Sequence, residues 1–91
     1  MIFNVQRFSE EDLPKQSIKS LKKGIRSLKK VIVVHENKIK NPESFYPKWN
    51  DFLEREQKGY IEHWKDEIDT ANQSILNRIE ELRKRGVEYA E

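Results

Sequence analysis

Two stretches, residues 16–41 and 51–85, carry apolar side chains at alternating steps of three and four, and this periodicity restricts the chain to helices packed along a seam. In the first, Ile18, Leu21, Ile25, Leu28, Ile32, His35 and Ile39 form an unbroken a/d heptad with one histidine in it. In the second, Gln57, Ile61, Trp64, Ile68, Ala71 and Ile75 follow the same rule, and a four-residue step then leads to Ile79 and on to Leu82. Two such segments predict an all-α antiparallel two-helix hairpin, coiled-coil-like. An extended arm is expected over residues 1–13, helix over 14–41, an aromatic connecting loop over 42–50, helix over 51–85 and a fraying tail over 86–91. Pairing positions whose numbers sum to about 92 keeps apolar residues opposite one another. Leu28 is then set against Trp64, Ile25 against Ile68, Leu21 against Ala71 and Ile18 against Ile75. Ile79 and Leu82 are left for the arm to cover through Phe3, Val5 or Phe8, from the same chain or another.

Ninety-one residues make one small domain, and two helices alone make a seam rather than a full core, so completion by dimerisation or by a partner is expected. Charged residues are 37% and hydrophobic ones 35% of the chain, too apolar and too periodic for a disordered tail. There is no cysteine, which excludes disulfides, thiolate metal sites and a cysteine nucleophile. No apolar run approaches the roughly 18 residues of a membrane span. The first eight residues lack the charged and apolar regions of a signal peptide, so a cytoplasmic location is expected, and signal-less export is compatible with it.

Helix boundaries have local causes. Asp12 is a candidate N-cap for the first helix, with Pro14 in its first turn. Pro42 ends that helix, because the residue before a proline is pushed out of helical geometry. Asp51 with Glu54 three residues on fits a capping box, and Gly86 after Arg83, Lys84 and Arg85 fits a C-terminal stop. Gly24 costs about 1 kcal/mol relative to alanine inside a helix. It is either tolerated or kept for the close approach of another backbone.

Three features bear on function. Val31, Val33 and Val34 lie near the loop, as do Phe45, Tyr46, Trp49, Phe52 and Tyr60. They read as a satellite core or as a protein-binding patch, for which Val34, Phe45, Tyr46 and Trp49 are the candidates. Every charged residue from 15 to 34 is basic although the net charge is only +2. Lys15, Lys22 and Lys29 at e, Lys19 and Arg26 at b, and Lys23 and Lys30 at f form one band. Such a band suits a solvated face paired with acids, or sequence-independent nucleic-acid binding through Lys19, Lys22, Lys23, Arg26, Lys29 and Lys30. The two histidines, His35 and His63, are not expected to share a site, since the register sets His35 opposite Gln57. His35 is followed by Glu36 without the second histidine of a zincin motif, and no glycine-rich phosphate loop is present. No catalytic residue, cofactor or metal is therefore expected, and the chain is read as non-enzymatic.

The segment HENKIKNPESFYPKW, followed by QKGYIEHWKDEI, resembles helical segments of bacterial secreted polymorphic toxins and mobile-element (phage) proteins. Its layout is also similar to the small hairpins exported by WXG-type secretion systems, except that Trp49 is followed by Asn50 and Asp51 instead of the Trp-x-Gly turn. The resemblance implies a bacterial interaction module of a toxin, phage or secretion apparatus, with a protein partner or a homodimer. It carries no catalytic residues.

Overall fold

The computed structural model describes residues 10–89, and its regular structure is entirely helical. A 3-10 turn, Glu10–Lys15, leads into α1, Ile18–Lys40; two further 3-10 turns, Pro42–Ser44 and Trp49–Asp51, carry the connection; α2 runs Glu54–Lys84. The two helices pack as a hairpin in a single layer, with principal extents of 51 × 24 × 16 Å. The seam buries Leu21, Ile25 and Leu28 of α1 against Ala71, Ile75 and Leu82 of α2, with Leu13 added from the first turn.

The helix starts fall later than Asp12 and Asp51. Ser17, in extended backbone geometry, caps α1 by accepting the Ser20 N–H at 3.0 Å. At α2 the Leu53 N–H donates to the Glu56 carboxylate at 2.8 Å, so the reach-back half of a capping box is present two residues beyond the expected place. Gly86 ends the second helix as expected: its φ of 78° is the left-handed geometry in which glycine meets no Cβ clash, and the Val87 N–H returns to the Leu82 carbonyl at 2.9 Å.

The register differs from the expected one. Gly24 faces Arg78, His35 faces Glu67 and Lys38 lies over Trp64, and the residue numbers at these crossings sum to 102 each time, against about 92 expected. Leu28 is therefore level with Ile75, and Leu21 with Leu82. The start of α2 overhangs the end of α1 by about two turns, roughly 12 Å at the helical rise. The connection folds back to cover that overhang.

The heptad of α2 does not step aside to Ile79. It continues through Arg78, which is 1% exposed, to Leu82, which is fully buried. Gly24 supplies the room: a Cβ there would lie 3.1 Å from Arg78 Nε, so the close approach at this glycine is by a side chain rather than by another backbone. A guanidinium at a seam position and a glycine on the facing helix, each unfavourable alone, thus make one packing unit.

The tail does not fray at its start. Val87 and Tyr89 pack against the core, and Lys29 Nζ stands 5.4 Å from the centre of the Tyr89 ring. Leu82 is enclosed together with Leu13, Ile79 and this tail. The expected cover by Phe3, Val5 or Phe8 lies outside the described residues. At the same end, Arg85 donates to the carbonyls of Gln16 (2.6 Å), Leu13 (2.9 Å) and Pro14 (3.0 Å) and to Glu81 (3.0 Å). One side chain thereby fastens the first turn to the end of α2.

Candidate functional site: the aromatic end and the groove beside α1

The loop aromatics form a cluster with the start of α2. Tyr46, Trp49, Phe52, Tyr60 and Trp64 make nine ring contacts with centroids 5.5–6.5 Å apart, the spacing at which ring edges and faces attract. Trp64 and Trp49 are buried and stack at 5.7 Å. Gln57 Nε2 donates to the Trp49 carbonyl at 2.8 Å, which holds the connection to the helix. The cluster gives the overhanging turns of α2 a packing partner that α1 does not reach.

The candidate patch residues occupy different places in this cluster. Trp49 is 6% exposed and Tyr46 half-buried among the rings, while Val34 and Phe45 are 43% and 42% exposed. Lys38 Nζ lies 5.8 Å from the centres of both the Phe45 and Trp64 rings, so its cation bridges the open and closed parts of the cluster.

The histidines share a carboxylate. Glu67 Oε1 is 3.5 Å from His63 Nε2 and 3.9 Å from His35 Nε2, so the shifted register brings together groups expected to stand apart. His35 Nδ1 is buried and has no hydrogen-bond partner. Burial pushes the His35 imidazole below its ordinary 6.5, Lys38 and His63 push the same way, and Glu67 opposes them. Among the described residues no three His, Asp or Glu side chains are arranged to hold a metal ion.

A stability change with pH follows. Because the folded-state pKa of His35 lies below that of the unfolded chain, the unfolded chain takes up the proton more readily between the two values. This group is neutral and costs nothing above 6.5, and it removes stability as pH falls from 6.5 toward the folded value. Urea midpoints measured from pH 7 downward are expected to decline over that window in the native chain. In His35→Gln they are expected to decline less. Equal slopes would place the coupling elsewhere.

Of the basic band, Lys19, Lys23, Arg26 and Lys30 are exposed on the outside of α1, while Lys22 and Lys29 are half-buried at its side. On the opposite side of α1, Ser20, Lys23, Gly24, Ser27, Leu28 and Val31 line an open hollow of about 310 Å³ with Arg78 of α2 at its floor. Sequence reading missed this hollow, because a glycine, two serines and a buried arginine give no apolar signal. Ser20, Gly24, Ser27, Val31 and Val34 nonetheless repeat at heptad spacing. No helix among the described residues is long and apolar enough to cross a membrane.

Compared with family models, with curated proteins and with solved structures, the chain matches none of them.

Proposed function

We propose that this chain is a non-enzymatic protein-binding module, a helical hairpin that offers one face to the helices of a partner as an adaptor or inhibitor. The observation that supports it most is the incompleteness of the layer. Two helices bury a single seam between them, and among the described residues Val33, Val34, Phe45, Leu53 and Leu76 remain 42–59% exposed. The exposed apolar residues Val34 and Phe45 are linked through Lys38, which follows Val34 by one turn of α1 and holds its ammonium over the Phe45 ring. The basic outer edge of α1 selects partners by charge and is the surface that sequence-independent nucleic-acid binding would use. The resemblance of the connecting segment to helices of bacterial polymorphic toxins and phage proteins, and of the layout to small exported hairpins, supports a partner in such a toxin, phage or secretion apparatus.

The double variant Val34→Ser, Phe45→Ser tests the reading, since exposed positions cost within about 0.5 kcal/mol each when changed. Its melting temperature is expected to stay near that of the native chain. Its recovery of a stoichiometric partner from source cells, compared by quantitative mass spectrometry, is expected to drop. Unchanged recovery with an unchanged fold would remove Val34 and Phe45 from the interface.

A further inference from the structure

We propose that the groove beside α1, floored by Gly24, Leu28 and Arg78, is the docking seam for an acidic amphipathic helix of a protein partner, which completes a three-helix bundle. The proposal rests on the protein-binding reading above and names the chemistry of the partner.

Three observations converge on it. The groove has the depth for side chains of a third helix: the hollow of about 310 Å³ exists because Gly24 carries no side chain above Arg78 and because Ser20 and Ser27 are short. It has the right direction and period, since Ser20, Gly24, Ser27, Val31 and Val34 run along α1 for about 20 Å at the helical rise, one step round from the main seam. Val31 and Val34 supply apolar contact at the upper end, where exposed Phe45 continues the strip beyond Lys38.

Charge then selects the occupant. Lys23 and Lys30 stand exposed along the α1 rim, with Lys19 and Arg26 behind them, and no carboxylate lies on α1 from its start to Val34. On the α2 rim the neighbouring positions are Thr70, Ser74 and Asn77, all uncharged. The closest acids along that rim are engaged elsewhere, Glu67 with the two histidines and Glu81 with Arg85. A helix with small and apolar residues on one face and Asp or Glu beside them meets this groove with complementary charge. A second copy seated through its own α1 would set lysines against lysines. A phosphate backbone would find no use for the apolar strip of Val31 and Val34.

The test uses the full chain and two labelled synthetic helices of about 20 residues, long enough to be helical. They share an alanine and leucine seam and differ only in flanks of Glu or Lys. Fluorescence anisotropy is expected to show the Glu-flanked helix binding at least roughly tenfold tighter than the Lys-flanked one. Ser27→Trp, at an exposed position and checked for helicity by circular dichroism, is expected to weaken that binding by at least roughly tenfold. Lys23→Glu with Lys30→Glu is expected to reverse the preference.

Equal binding of both helices, or binding untouched by Ser27→Trp, overturns the proposal. If binding is instead lost on Leu76→Glu, which sits on the other face, the groove assignment falls while the protein-binding reading stands. Failure of both helices to bind at millimolar concentration counts against both. A duplex oligonucleotide bound more tightly than the Glu-flanked helix, or a dimer dissolved by Ser27→Trp, also overturns the acidic-helix assignment.

Discussion

Trp64→Ala is expected to lower the unfolding free energy by about 3–5 kcal/mol, the cost of removing a buried large aromatic side chain. Trp64 is 2% exposed and contacts Tyr46, Trp49, Tyr60 and the Lys38 ammonium, so its loss leaves the overhang of α2 without its main packing partner. A chain of this size has on the order of 5–14 kcal/mol to lose. The melting temperature is expected to drop by about 20 °C or more, at the usual several degrees per kcal/mol for small domains. Near-ultraviolet circular dichroism should collapse at the same time, because the stacked rings generate it. A loss below about 1 kcal/mol would mean that the ring cluster is not formed in solution.

Arg85→Ala is expected to cost about 2–3 kcal/mol, since hydrogen bonds to a charged group contribute more than neutral ones. The carbonyls of Leu13, Pro14 and Gln16 converge on this guanidinium, whose planar fork reaches all three at once. Arg85→Lys is expected to restore less than half of the loss, because a lysine lacks the planar fork that spans several acceptors. Amide exchange locates the effect: the Gln16 N–H, bonded to the Leu13 carbonyl at 3.1 Å, should exchange faster in both variants. The amides of Trp64 and Ile68 in the middle of α2 should change only with global stability. Unchanged exchange at Gln16 would mean that Leu13, buried beside Leu82, holds the turn without help.

The elements of this hairpin were legible in the sequence, and its register was not, for a physical reason. Two facing heptads re-seat on each other whenever one helix slides by three or four residues, so apolar spacing alone admits several pairings. The pairing of Leu28 with Trp64 and the pairing of Leu28 with Ile75 satisfy it equally. The degeneracy is broken by residues outside the pattern. Arg78 needs Gly24, and the rings of Tyr46, Trp49 and Phe52 need a length of α2 that α1 leaves uncovered. A glycine in a helix and a proline-bracketed aromatic loop were each visible, but their partners lie more than ten residues away and no local rule joins them.

The candidate site was legible in part for the same reason. Val34 and Phe45 can be picked out as apolar residues beyond the seam, and they are exposed. Trp49 belongs with them by composition, yet burial against Trp64 makes it an anchor of the loop. The shared carboxylate of His35 and His63 depends wholly on the register, which is why it could not be read from spacing.

The register is also what creates the groove and positions the aromatic end, and nuclear Overhauser contacts of the Trp64 indole test it most directly. Contacts from its ring protons to the Lys38 side chain and to the Tyr46 ring are expected, with none to Leu28. Contacts to Leu28 in place of Lys38 would contradict the shifted hairpin, and with it the groove beneath Gly24 and the pairing of both histidines with Glu67.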